Sequence, residues 1–332
     1  MQEFSRVFVT ASLALSFVGC GGSGTRSDLQ VSTDPITITS DNSKQVSKSV
    51  VTIGDHLIRS TVMASLFYGS ETNRRVVRGV TDITRSVVEY YANKRYVMSG
   101  VSPTAIESAD CSNGGKLLGD FLDNNGNTAF DLGDSLSLTL QDCVEGDVSI
   151  NGSFSMVLTK LQTNEAEFVI QAYDLTITAG VETLGLNGNF ILASTADAVS
   201  GVATSLFKGT ALSYQNGDEV MLLTQFSFAQ YQGGTLPEQY ALDYDYTYSS
   251  SDIGGQVTVV TEEPFIGQGN YAPDSGQATI SGADCSSLVI EANTGQVKLV
   301  LGGQASCGSE ITDELIYEGP WEQLFGETAS SA

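Results

Sequence analysis

The stretch "VSINGSFSM", Val148 to Met156, aligns residue for residue with "LGLNGNFIL", Leu184 to Leu192, and "VMLLTQFSF", Val220 to Phe228, continues the series. The offset is 36 residues at each step, and it puts Phe154, Phe190 and Phe226 in register. Within the first copy Val148, Ile150, Phe154, Met156 and Leu158 alternate with polar residues, and Tyr240, Leu242, Tyr244, Tyr246 and Tyr248 do the same around Asp243, Asp245 and Thr247. A period of two is the signature of a half-buried strand, so each repeat predicts one long antiparallel hairpin. Gly152 and Gly188 fall on the apolar face, where a missing side chain lets a strand bend or another element come close. Because one sheet has to bury its apolar face on something, the expected fold is mainly β with an N-terminal helical pair. The expected architecture is a curved antiparallel sheet or open barrel packed on a helix, with a β-sandwich as the alternative.

Outward from the repeat, Asn216-Gly217 and Asn293-Thr294-Gly295 read as hairpin turns. Upstream the period changes. Val46, Val50, Ile53 and Leu57 recur at helical spacing, as do Val76, Val80, Ile83 and Val87 beyond the break at Gly69-Ser70, which predicts amphipathic helices over roughly 41–68 and 71–98. Charge divides along the same line. Residues 41–100 hold nine bases and five acids, a net of +4, whereas everything after residue 100 holds four bases against thirty-one acids, a net of -27. Local pairs such as Arg78 with Asp82 and Arg85 with Glu89 account for part of the pattern, and docking of basic helices on an acidic β region is the sharper reading. The overall net charge of -24 argues against a nucleic-acid partner, which needs clustered Lys and Arg.

The N-terminus carries a different signal: a polar start, an apolar run from Val7 to Val18, then Gly19, Cys20 and the stretch GGSG. Such a run suits a secretory signal and is short for a bilayer-spanning helix. "FVGC", Phe17 to Cys20, resembles the lipobox of bacterial lipoproteins, in which signal peptidase II cleaves before a lipid-modified cysteine. The resemblance implies acylation of Cys20 and attachment to a membrane through the lipid. Gly21, where enteric inner-membrane lipoproteins often carry Asp, leans towards the outer membrane of the cell envelope. The expected organisation is then a signal peptide over 1–19, a lipidated cysteine and flexible tether over 20–34, a helical segment over 35–100 and an antiparallel β domain over 101–332.

With Cys20 assigned to lipid, Cys111, Cys143, Cys285 and Cys307 remain, an even number that favours two disulfides in an exported chain. The peptide ADCS occurs at Ala109 to Ser112 and again at Ala283 to Ser286, each followed by a later cysteine. That favours Cys111 with Cys143 and Cys285 with Cys307.

The segment "DNNGNTAFDLGDSLSLTLQDC", Asp123 to Cys143, holds the densest set of candidate ligands. Taking Asp123 as the first position of a twelve-residue loop places Asn125, Asn127, Asp131 and Asp134 at the oxygen-ligand spacing of an EF-hand-like loop, so Ca2+ is the one cofactor to consider. Thr128 stands where such loops need glycine, and an Asx-rich loop arises without metal as well. Loops of this kind, followed by "GD", a strand and a cysteine, are similar to those of Gram-negative envelope lipoproteins. Its letters GDSL, Gly133 to Leu136, resemble the nucleophile block of GDSL-type serine hydrolases, with Ser135 as nucleophile. The only histidine, His56, lies upstream in a predicted helix rather than in the late D-x-x-H context that chemistry uses, and Ser135 begins an alternating strand. Zinc is disfavoured by the wide cysteine spacing. Paired acids such as Glu262-Glu263 arise freely among so many carboxylates, and Trp321 reads as a core plug or terminal cap. The function expected is thus a non-enzymatic binding or structural role for an anchored envelope protein, whose partner is another protein or the envelope itself. A carrier of a lipid or other apolar ligand is the alternative, since a curved sheet over helices, as in periplasmic lipoprotein-carrier folds, can enclose an acyl chain.

Overall fold

The computed structural model describes residues 31–55, 107–126, 132–145, 148–162, 164–179, 182–197, 200–216, 219–233, 239–268, 272–303 and 313–325. These belong to a unit running from Val31 to Ala332, separate from Met1–Gln30. Among the described residues, helix α1 (Ser43–Asp55), fourteen strands and a closing helical turn follow one another. The strands are β1 (Glu107–Asp110), β2 (Lys116–Leu122), β3 (Ser135–Glu145), β4 (Val148–Gln162), β5 (Glu165–Ala179), β6 (Glu182–Ala196) and β7 (Val202–Asn216). They continue with β8 (Glu219–Gly233), β9 (Gln239–Ser250), β10 (Gly255–Gln268), β11 (Ser275–Ser281), β12 (Ser286–Asn293), β13 (Gln296–Gly303) and β14 (Glu314–Pro320), and the closing turn is α2 (Trp321–Phe325).

All fourteen strands form one antiparallel sheet in which each pairs with the next in sequence. This is an open, curved meander, so the sandwich alternative gives way to the single sheet. A sheet of more than about ten strands cannot stay flat under its own twist, and a line of irregularities shows where this one bends. Register shifts fall between Leu140 and Cys143 in β3, Asn151 and Ser153 in β4, Ala172 and Leu175 in β5, and Thr224 and Ser227 in β8. Asp142, Asp174 and Gln225 within them adopt φ of 49°, 46° and 50°. The repeat glycines face these bulges. A Cβ on Gly152 would stand 2.3 Å from the carbonyl oxygen of Asp174, and one on Gly188 would stand 2.4 Å from that of Ala211. Both glycines have φ above 100°. The missing side chains therefore do two things: they supply the backbone angles and admit the neighbouring strand's carbonyl.

The repeat also sets the stagger. Phe154 pairs with Ala172 and Ala172 with Gly188, so the second copy lies two residues, about 7 Å, along the strand from the first. The second and third copies are level instead, since Phe190, Gly209 and Phe226 share one cross-strand row. Rings fill the inner face from there onward. Phe207 lies 5.1 Å from Phe190 and 5.0 Å from Phe226, Phe228 stacks on Tyr246 at 4.9 Å, and Tyr244, Phe265 and Trp321 continue the chain of contacts. Trp321 is the plug expected from the sequence, buried at the end of this aromatic series.

Helix α1 realises the first part of the helix expected over 41–68, while the remainder of that span and the helix expected over 71–98 lie outside the described residues. Its apolar stripe of Val46, Val50 and Ile53 is buried in the same core as the sheet, with Ser43 and Ser47 beside it. Small side chains there let the helix sit close to the inner face.

A meander converts order into position. The connections β1–β2, β3–β4, β5–β6, β7–β8, β9–β10 and β11–β12 lie at one end of the strands, called the base here, and β2–β3, β4–β5, β6–β7, β8–β9, β10–β11 and β12–β13 lie at the distal end. The Asn293 signal is a two-residue hairpin: Asn293 pairs with Gln296, and Thr294 and Gly295 take φ of 51° and 72°, the double positive turn that matches strand twist. Asn216 likewise pairs with Glu219 across a two-residue connection.

Candidate functional site

The first described residues, from Val31 onward, are fastened to the base. Pro35 makes a parallel bridge to Gln256, and Gln256 exchanges backbone hydrogen bonds with Asp34 and Ile36, its N–H donating to Asp34 and its carbonyl accepting from Ile36. On the other side the Ala283 N–H donates to the Ile36 carbonyl, the Ile38 N–H donates to Ser286 Oγ at 2.8 Å, and the Thr37 hydroxyl donates to Asp284. The strap thus lies between the start of β10 and the β11–β12 turn. Asn42 then joins strap to helix: its amide donates to the Thr37 carbonyl, its side-chain oxygen accepts from the Thr39 N–H, and its own carbonyl accepts the first helical bond from Val46.

A polar network holds α1 over this end. Tyr246 donates its phenol to the Val50 carbonyl at 2.8 Å inside the core. Ser49 donates to the Asp252 carboxylate, and the Gln45 amide reaches both the carboxylate and the carbonyl of the same residue. Tyr248 and Ser250 donate to Glu219, and Ser250 accepts from the Asp252 N–H. Burial pushes the Tyr246 and Tyr248 phenols above their ordinary range, so both remain protonated donors at neutral pH. Strand periodicity alone shows these tyrosines as core residues; a signal for the network was their type, since phenols alternating in a core where Phe would pack need partners.

The acidic connection β2–β3 lies at the distal end. Asp123 and Asp134 are both buried. The Asp123 carboxylate accepts from the Gly126 N–H at 2.6 Å, and that of Asp134 accepts from the Asn124 N–H at 2.9 Å. The Asn124 amide donates to the Gly133 carbonyl. Gly133 and Asp134 are in turn paired to Leu158 of β4. The loop's two ends are therefore held together, each carboxylate accepting a backbone N–H of the loop. Asn125 is exposed, and Asn127 and Asp131 lie outside the described residues. Among the described residues no group of three or more His, Cys, Asp or Glu side chains is placed to hold a metal ion.

Cys111 and Cys143 form a disulfide, which ties the β1–β2 turn to β3. That bridge sits at the base, one length of β2 from the acidic loop, about 20 Å away at strand spacing. The covalent ring encloses the loop in sequence but does not brace it. Cys285 is also disulfide-bonded; its expected partner Cys307, like Cys20 and His56, lies outside the described residues. The two ADCS peptides occupy equivalent places, the β1–β2 and β11–β12 turns of the base. Ser135 is a strand residue in register with Leu122 and Val157, whereas hydrolase nucleophiles stand on a strand-to-helix turn.

No family model matches the chain, no curated protein is significantly similar to it, and no solved structure matches it.

Proposed function

We propose that this chain is a membrane-anchored envelope lipoprotein, acylated at Cys20, whose β domain has a non-enzymatic binding or structural role, on the outer membrane of the cell envelope. The observation that carries the reading is the cysteine at the end of an apolar run, followed by a polar tether that leads into a strap built into the base. Four hydrogen bonds of that strap, from Gln256 to Asp34, from Ile36 to Gln256, from Ala283 to Ile36 and from Ile38 to Ser286, suit a point of attachment fastened to the sheet. The outer face of the sheet supports attachment through lipid rather than through strands. One of its rows runs Ser137, Ser155, Gln171, Asn189, Ala211, Thr224 and Thr247, a polar series where a membrane barrel carries an apolar band. The mutual packing of the inner aromatic rings supports a binding role at the surface more than enclosure of an acyl chain.

Expression in a bacterial envelope tests the anchor. The wild-type protein is expected in the membrane fraction with a mass increment of acyl chains on its first residue, and Cys20→Ser is expected to lose both. Equal membrane retention of Cys20→Ser without any acyl mass on the wild type overturns the proposal. Native mass spectrometry of the Cys20→Ser chain addresses the carrier alternative, since a retained acyl ligand would favour it.

A further inference from the structure

The outer face changes character along its strands. Near its middle it is the polar row described above, but towards the distal end three successive rows become apolar. Val157, Val169 and Ile191 open the first, which Lys208, Ser227 and Asp245 continue; Ala193, Leu206 and Ala229 lie in the next, and Tyr231, Ala241 and Ile266 in the third. Val169, Tyr231 and Ile266 are 37%, 36% and 36% exposed, values unlike those of the inner-face residues on the same strands. Scattered surface apolar residues need no explanation, whereas contiguous ones on neighbouring strands mark an interaction surface.

Acids flank the patch on both sides. Asp243 continues the Ala193–Leu206–Ala229 row on β9, with Asp245 two residues on, and Glu262 and Glu263 are exposed on the adjoining strand β10. At the other margin stand Glu165 and Glu167 of β5. Two bases stand on this part of the face: Lys160, engaged by Glu165 at 2.6 Å, and Lys208, between Ile191 and Ser227 in the first row; the six carboxylates of Glu165, Glu167, Asp243, Asp245, Glu262 and Glu263 outnumber them. Asp243 is partly buried against its apolar neighbours and faces Asp245, which raises its carboxyl above the ordinary range; a cation brought alongside would relieve both effects. An apolar strip between acidic margins fits a segment with an apolar face and basic edges, and it repels an anionic lipid surface.

We propose that the distal outer face around Val169, Ile191, Leu206, Tyr231 and Ile266 is the docking surface for a cationic amphipathic segment of a partner protein. The inference rests on the binding role given above and names its surface. Its test uses the full chain carrying Cys20→Ser, so that failure of docking and failure of anchoring are read in separate experiments.

The probe is a dye-labelled amphipathic peptide of leucine and lysine, with a glutamate-for-lysine counterpart, followed by fluorescence anisotropy. The cationic peptide is expected to bind and the anionic one to remain free. Affinity is expected to fall about tenfold or more as salt shortens the screening length from low to physiological ionic strength and beyond. The pair Asp243→Asn with Asp245→Asn, and separately Tyr231→Ser with Ile266→Ser, should each weaken binding about tenfold. Asp110→Asn with Asp142→Asn, exposed acids of the base, should leave it unchanged. Equal binding of the two peptides, equal loss in the base variant, or preferential binding of anionic phospholipid vesicles over the cationic peptide overturns the proposal.

Discussion

Replacing Gly152 by alanine tests whether the repeat bends the sheet. The residue has a φ of 109°, which L side chains avoid, and its added Cβ would meet the Asp174 carbonyl oxygen at 2.3 Å and Leu175 Cα at 2.7 Å. These contacts are backbone, so no rotamer change removes them. Forcing the backbone angle costs about 1 to 3 kcal/mol, and overpacking a close approach costs about 1 to 3 kcal/mol more, giving roughly 2 to 6 kcal/mol in all. Gly295→Ala is the matched control. Its φ is 72° and no atom lies within 4 Å of the added Cβ, so only the conformational cost of about 1 to 2 kcal/mol applies. Urea unfolding of the Cys20→Ser chain, followed by the fluorescence of Trp321, the single tryptophan, reads the difference directly. Gly152→Ala should lower the transition midpoint well below that of Gly295→Ala with the same slope. Equal midpoints would refute the reasoning, because the bulge would then have room that the geometry denies it.

Tyr246→Phe should destabilise by about 1 kcal/mol in the same unfolding assay, since it removes one buried hydrogen bond to the Val50 carbonyl while keeping the ring stacked on Phe228; an unchanged midpoint would separate that bond from the docking of α1. Asp134→Ala should lower stability by about 1 to 3 kcal/mol with chelator present, because its carboxylate organises the Asn124 turn. Wild-type melting curves in calcium and in chelator decide the cation: coincident curves exclude a calcium site coupled to this loop, and a calcium-dependent rise that Asp123→Ala and Asp134→Ala each abolish supports one. Asp243 binds its proton more tightly in the folded chain than its usual value of 3.8 implies, so the folded state loses stability as pH rises through that value towards the raised one. Asp243→Asn should therefore gain stability relative to wild type at neutral pH, with the gain shrinking in acid, as pH-dependent urea curves will show.

The β character, the repeat and the special role of Gly152 and Gly188 were legible in the sequence because a strand's period of two is enforced residue by residue. A glycine on the apolar face breaks that pattern visibly. What the glycines make room for was not legible. The intruding groups are backbone carbonyls of Asp174 and Ala211, and residue type carries no record of a bulge one strand away. The two-residue stagger between the first copies was hidden for the same reason, since alignment puts Phe154 over Phe190 while pairing puts it over Gly188's row. The acidic loop shows the opposite limit. Its spacing suggested oxygen ligands at Asp123 and Asp134, but carboxylates that accept backbone N–H groups and carboxylates that hold a cation share the same letters. The helix-holding tyrosines and the distal apolar rows were missed because both depend on which strands become neighbours.

Meander topology makes the relation between attachment and recognition a matter of counting. The strap is bound at the base, through the start of β10 and the β11–β12 turn, and the bonded cysteines Cys111, Cys143 and Cys285 are all at that end. Cross-links and strap therefore reinforce the part of the sheet on which any pull from a tether would act. The distal end has the acidic connection and the apolar rows, and it stands a full strand away; β4 through β8 are fifteen residues each, about 50 Å. Under the anchoring proposed above, a docking surface at the distal end would stand away from the lipid headgroups, where acidic flanks would not be opposed by the membrane's own charge. The excess of acids after residue 100 then has a use beyond solubility: on the distal outer face it selects the sign of what can dock.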